Sequence, residues 1–292
     1  MITRIAKENL PNLFIPGAAK SATSTLHDLL NQHPDIYMSS VKEPHYFTNN
    51  TRFHDTDRYK SLFAGSENYR YRGESSTGYL AFPESPLKIK EEIGSEVKFI
   101  IIVRNPIDRA FSHYNWVKSK GREMRSFRKA FLYDMDKELD SNNHLGFGYK
   151  NYYKFGLYGE QLERYFELFP SENILVITNE ALRKNSLETL NICFKFLELP
   201  LMENVIDLEK NKTVHISNPW LYFKFKAIGF RAERIFNLNP SNYFKLLGKL
   251  FFKDTVKLCA EDRDWVKKYY EKDVNQLKEL LSSDLSSWKD FN

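Results

Sequence analysis

The junction between residues 13 and 30 constrains this chain more than any other stretch. Leu13-Phe14-Ile15 is a short apolar strand. It runs through Pro16, Gly17, Ala18, Ala19 and Lys20 into Ser21-Ala22-Thr23-Ser24-Thr25-Leu26. Leu26, Leu29 and Leu30 stand at i, i+3 and i+4, the spacing of a helix with one buried face. Gly17, Ala18 and Ala19 carry little or no side chain, so a ligand can approach the backbone closely. Ser21, Thr23, Ser24 and Thr25 supply hydroxyls where helix N–H groups are unpaired and the helix dipole is positive. Lys20 at the mouth of such a turn makes an anion site suited to phosphate. A Ser/Thr-capped helix behind a buried strand is the plainer reading of the hydroxyls alone. The lysine, the small-residue turn and the strand together favour the phosphate site. The turn is not the usual nucleotide-triphosphate loop, which wants glycine directly before the lysine where Ala19 stands.

Further along, Asp35-Ile36-Tyr37-Met38 reads as a second strand and Lys42-Glu43-Pro44-His45-Tyr46-Phe47 follows it. A carboxylate and an imidazole two residues apart suit general acid–base work if they face the phosphate loop. The alternative is a polar loop in which His45 acts as a cap. Tyr69 to Leu80 holds a third strand candidate with Glu74, which either ties loops together or serves as an ion-pair partner. Lys98 to Val103 is a continuous apolar, β-branched run, as expected of a central parallel strand buried on both faces. It ends at Arg104-Asn105-Pro106, and a helix follows through Trp116. Ligands of doubly wound sheets sit at the carboxyl ends of strands, which puts Arg104 at the site. Its planar guanidinium suits bidentate capture of phosphate. Ser112 lies two helical turns on, roughly in line with it. Ile174 to Ile177 is another strand, between helical stretches at 156–169 and 186–197. Strands alternating with helices predict an α/β fold with a parallel sheet.

Four of these stretches resemble the sulfotransferases that use 3′-phosphoadenosine 5′-phosphosulfate (PAPS), in particular the carbohydrate, heparan-sulfate-type and bacterial members. The family loop Gly-x-x-Lys-(Ser/Thr)-Gly-Thr-Thr-x-Leu is matched by Gly17, Lys20, Ser21, Thr23 and Leu26, with Ala22 for the second glycine and Ser24 for a threonine. Lys-Glu-x-His-(Phe/Tyr)-Phe is matched at 42–47. The Gly-Glu-x-(Ser/Thr)-Pro-x-Tyr-Leu segment is approximated at 73–80, without its proline and with Ser75 where some members carry lysine. The 3′-phosphate motif beginning Arg-(Asn/Asp)-Pro is complete from Arg104 to Ser112. The resemblance implies a P-loop-like, three-layer α/β fold, a central parallel sheet flanked by helices. It implies a cradle for the 5′-phosphosulfate at Gly17, Lys20, Ser21, Ala22, Thr23, Ser24 and Thr25. It gives Arg104 and Ser112 the 3′-phosphate, Glu43 the role of base and His45 a supporting one. Lys20 stabilises the leaving phosphate oxygen, and Lys210 and Lys212 are candidates for a further nucleotide-binding loop. The implied reaction moves a sulfuryl group to an acceptor hydroxyl or amine, on a saccharide or glycolipid, and releases adenosine 3′,5′-bisphosphate (PAP). The rivals are an ATP-dependent, P-loop kinase-like phosphotransferase and a non-catalytic nucleotide- or membrane-binding module.

A chain of 292 residues is long enough for one large domain, 1–292, in which 117–150 and 218–258 read as lid or acceptor-side insertions. A formal charge of +5 is too mild and scattered for nucleic acid but suits a polyanionic nucleotide. Two cysteines, Cys193 and Cys259, cannot form a disulfide framework. With a charged stretch from Met1 to Leu10 in place of a signal sequence, they point to the cytoplasm. No metal is expected, because no His/Cys cluster has ligand spacing. Residues 220–253 interleave aromatics with lysine and arginine. Core aromatics with snorkelling lysines, an interfacial helix on anionic lipid, or a basic acceptor channel all fit that pattern.

Overall fold

Five short strands run parallel in one sheet, and their alternating side chains feed two separate cores. The computed structural model describes residues 10–49, 53, 55–139, 150–206, 215–216, 219–236, 241–253, 257–281 and 285–292. The first half of the chain gives β1 (Leu13–Ile15), α1 (Thr23–Leu30), β2 (Ile36–Met38), α2 (Thr56–Lys60), β3 (Tyr71–Ser75), α3 (Gly78–Ala81), α4 (Glu84–Glu92), β4 (Lys98–Val103) and α5 (Pro106–Ser119). Then come α6 (Phe127–Met135), α7 (Tyr158–Leu168), β5 (Ile174–Thr178), α8 (Asn179–Lys184) and α9 (Ser186–Phe196). The remainder gives β6 (His215–Ile216), α10 (Pro219–Phe236), α11 (Ser241–Phe251), β7 (Phe252–Lys253) and α12 (Ala260–Leu280).

The sheet order is β2-β3-β1-β4-β5, with every pairing parallel. The middle position therefore belongs to β1, and Lys98–Val103, the run expected at the centre, lies beside it. Its composition is still that of a strand covered on both faces. Phe99, Ile101 and Val103 enter one core while Ile100 and Ile102 enter the other. Phe14 and its neighbours Leu13 and Ile15 divide in the same way. Leu26, Leu29 and Leu30 of α1, with Leu190, Cys193 and Phe194 of α9, cover one face. Helices α4, α5, α7 and α12 cover the other through Ile89, Ile107, Leu162 and Tyr270. These are the three layers of an α/β fold, as the sequence predicts.

Local chemistry starts the helices on the strand ends. Asn105 Oδ1 accepts from Ile107 N at 3.0 Å, and Pro106 takes the first helical position of α5, where its missing N–H costs nothing. Thr178 Oγ1 accepts from Ala181 N at 3.1 Å to cap α8. Within 117–150, α6 buries Phe127, Ala130 and Phe131 in the larger core. Within 218–258, α10 and α11 pack on each other around Leu247 and Phe251, in a small cluster of their own. Among the described residues, no helix is long and apolar enough to cross a membrane.

Candidate functional site

The loop after β1 is bolted to its neighbours by its own backbone. Leu80 N donates to Pro16 O at 2.8 Å, Ile102 N to Gly17 O at 2.9 Å, and Ala18 N to Ile102 O at 2.6 Å. Gly17 is required by packing: a Cβ there would stand 2.7 Å from Leu80 Cβ. Lys20 and Ala22 then take left-handed backbone angles, with φ of 69° and 71°, which side-chain-bearing residues adopt only at a cost. Ala22 occupies the cap position of α1 and no side chain caps it. Ser21 is wholly buried, its carbonyl accepts from Asn179 Nδ2 at 3.1 Å, and its hydroxyl makes no well-formed hydrogen bond. The buried Tyr158 hydroxyl lies against it, equally unsatisfied. Thr23 is buried, and Ser24 and Thr25 are half-buried at the start of α1.

Two cations meet over this loop. Arg104, at the end of β4, donates from Nη1 to Lys20 O at 3.3 Å. The Lys20 ammonium lies 5.3 Å from the centre of the Trp116 ring. Burial and then the positive charge of Arg104 lower the Lys20 pKa to about 8, against the pull of Glu43. Burial likewise lowers that of Arg104. Ser112 is half-buried on α5, one helical turn before Trp116.

The acid–base loop lies within electrostatic reach of Lys20. Glu43 and His45 both have positive φ, 53° and 54°, so four of the five non-glycine residues with that geometry among the described residues lie in these two loops. Thr77 Oγ1 donates to Glu43 Oε1 at 2.8 Å, and His45 Nε2 stands 3.6 Å from Glu43 Oε2. Burial would raise the Glu43 pKa. The nearby His45 ring, the Thr77 hydroxyl and the Lys20 ammonium outweigh it and hold the carboxyl below its usual value. His45 sits edge-on to Tyr79, and its Nδ1 is buried without a hydrogen bond.

Glu74 holds this loop from behind. It is fully buried, and burial raises its pKa. Tyr59 donates to Oε1 and Ser76 Oγ to Oε2, both at 2.8 Å, while Ser76 Oγ accepts from His45 N at 3.0 Å. Lys42 adds a brace to α1, donating to Ser24 O at 2.8 Å and pairing with Asp28 at 3.0 Å. Of the two roles open to Glu74, the structure displays the loop tie: among the described residues no lysine or arginine pairs with it.

Gly17, Lys20, Ser21, Ala22, Thr23, Ser24, Thr25, Glu43, His45 and Arg104 therefore fall on the loops and the helix start that follow the carboxyl ends of the strands, while Ser112 lies midway along α5. Lys210 and Lys212 lie outside the described residues. The sequence reading missed Thr77, Trp116 and Tyr158. Trp116 carried a signal, since a residue four after Ser112 shares its face of a helix. Thr77 lay in the segment already marked by Glu74.

The family model described as "Sulfotransferase domain" matches residues 10–216. Human heparan sulfate glucosamine 3-O-sulfotransferase 5 is 30% identical over 208 residues, 70% of this chain and 58% of that protein. The bifunctional heparan sulfate N-deacetylase/N-sulfotransferase 1 of Caenorhabditis elegans is 24% identical over 259 residues, 86% of this chain and 30% of that protein. The chain thus spans little more than half the length of the first of these relatives. A solved sulfotransferase from Alicyclobacillus acidocaldarius superposes with a TM-score of 0.70 at 26% identity, covering 96% of this chain and 99% of that one. On the match at 10–216 and that shared fold, the chain belongs to the sulfotransferase domain family.

Proposed function

We propose that this chain is a PAPS-dependent sulfotransferase acting on a hydroxyl or amine of a saccharide or glycolipid. The observation that carries the reading is that Lys20, its carbonyl held by Arg104 at 3.3 Å, stands near enough to Glu43, held by Thr77 at 2.8 Å, for each to bias the other's ionisation. The residues fit the nucleotide: a buried Ser21 hydroxyl met only by the Tyr158 hydroxyl, an uncapped helix start at Ala22, and two cations lowered in pKa by burial all call for an anion. The relatives named for heparan sulfate support a saccharide acceptor.

When bound, PAPS supplies an activated sulfuryl group and a phosphate leaving group. Lys20, with the N–H groups and hydroxyls of the loop, opposes the negative charge that grows on the bridging oxygen. Arg104 and Ser112 hold the 3′-phosphate and fix the nucleotide's register. Glu43, ionised at neutral pH, would take the acceptor's proton as the sulfuryl group passes from the 5′-phosphate oxygen, whose bond to sulfur breaks, to the acceptor atom. His45 and Thr77 keep the carboxylate charged and aimed. The test is a screen of saccharide and glycolipid acceptors with a donor carrying labelled sulfate. Label transferred by the wild type and lost in Glu43→Gln supports the reading; tight ATP binding without PAP binding overturns it.

A further inference from the structure

The α10–α11 pair lies beyond the matched family region, and the sulfotransferase reading gives it no task. Its packing is two-sided. Leu247 and Phe251 are buried against Leu221, Tyr222 and Phe223, and Tyr243 donates to Phe225 O at 2.7 Å. Aromatics on that side follow the core reading of the sequence. The outer side does not: Trp220, Ile228 and Phe230 of α10 are 51–57% exposed, and Leu246 and Leu250 of α11 are 54% and 63% exposed. Lysines stand among them. Lys224 lies 4.4 Å over the Trp220 ring, and Lys226 lies 5.7 Å from the Phe230 ring. Over residues 219–253 the sequence has seven lysines and arginines and one acidic residue, Glu233.

We propose that the exposed face of α10 and α11 is a docking surface for an anionic lipid bilayer. Amphipathic helices with aromatic and aliphatic anchors beside lysines bury the anchors at the head-group boundary and leave the ammonium groups among the phosphates. Charge decides between occupants. A second copy in a two-fold contact would set this basic face against itself, and like charges oppose that contact. An anionic bilayer complements it.

One of these helices, α10, also lines a cavity. A cavity of about 320 Å³ is lined by Lys120, Gly121 and Met124 at the end of α5 and by Trp220, Phe223 and Lys224 of α10. Lys120 follows Trp116, the residue over Lys20, by one helical turn, and its charge reaches Lys20. Docking therefore brings to the lipid surface a cavity whose lining residue Lys120 acts electrostatically on Lys20; this link to turnover, unlike the docking itself, rests on the sulfotransferase reading.

The experiment is flotation of the full chain with vesicles of phosphatidylcholine alone or with a minority of phosphatidylglycerol. The wild type should float with the anionic vesicles only and be released by salt. Lys226→Glu/Lys249→Glu should lower the partition coefficient at least about tenfold, since each cation near an anionic surface contributes about fivefold. Ile228→Ser/Leu250→Ser should also weaken it. Unchanged PAP affinity by calorimetry shows that the variants are folded, and because flotation needs no turnover, its outcome is independent of the acceptor. A wild type that does not float, or variants that float as it does, overturns the proposal. A concentration-dependent dimer in light scattering that these substitutions abolish assigns the face to a second copy and also overturns it.

Discussion

Arg104 donates a hydrogen bond to the carbonyl of Lys20, so the arginine at the end of β4 supports the backbone of the phosphate-loop lysine. The two cations sit together in a partly dehydrated site where burial disfavours both charges and Arg104 further disfavours that of Lys20. Such a pair is poised for a ligand that brings several negative charges at once.

The first consequence is a pH dependence of donor-site binding. Lys20 ionises near pH 8, so above that pH the free protein holds it mostly neutral. A bound phosphate favours the ammonium, so PAP binding should take up a proton there. Affinity should fall as pH rises past 8, by at most about tenfold per unit. Calorimetry of PAP in buffers of different ionisation enthalpy measures the uptake directly. Lys20→Arg should bind PAP without proton uptake between pH 7 and pH 9.

Nucleotide choice is the second. If Arg104 reads the 3′-phosphate, the charge-assisted bonds it makes are worth about 1.5–3 kcal/mol. Arg104→Ala should then weaken PAP binding about 10- to 150-fold and change ADP binding far less. Equal losses for PAP and ADP would mean that Arg104 acts only through the Lys20 carbonyl.

Much of this was readable in the chain because the signals were local. Leu13–Ile15 and Lys98–Val103 are strands because their apolar runs can be buried on both faces, and Asn105-Pro106 starts α5 by side-chain capping alone. The positions of Lys20, Glu43 and Arg104 followed from motifs that end strands. What was hidden depends on distant partners. Nothing next to Glu74 announces that Tyr59 will satisfy it, or that Ser76 will hold His45 N. The positive φ of Lys20, Glu43 and His45 is imposed by the surrounding loops, since these residue types do not favour it alone. The place of β1 at the centre of the sheet was likewise invisible, because a three-residue strand shows less apolar sequence than the six-residue β4.

A third prediction concerns stability. Asp273 of α12 accepts from Gly159 N and Glu160 N, both at 3.0 Å, at the start of α7. Burial nevertheless raises its pKa to about 6. A carboxyl raised in the folded state binds more protons folded than unfolded between its two pKa values. Its contribution is therefore full below pH 4 and lost as pH rises through 6, a change of about 2–3 kcal/mol. Asp273→Asn cannot titrate. The stability difference between wild type and variant, from urea unfolding at pH 4 and pH 7, should shift by that amount against the wild type. A constant difference would show that Asp273 keeps an ordinary pKa.

The last prediction separates the base from the residues that aim it. Glu43→Gln preserves shape but cannot take a proton, so turnover should fall about 100-fold or more while PAP affinity stays nearly intact. Lys20→Ala should match that loss in turnover and weaken PAP as well. Thr77→Val removes the 2.8 Å hydrogen bond that helps hold Glu43 ionised. The Glu43 pKa should then rise, and the acid limb of the turnover profile should move to higher pH, while Thr77→Ser keeps the hydroxyl and restores the wild-type limb. A Thr77→Val variant slowed equally at every pH would make Thr77 a packing residue. A Glu43→Gln variant with normal turnover would remove Glu43 from the reaction and leave His45, 3.6 Å away, as the group to test next.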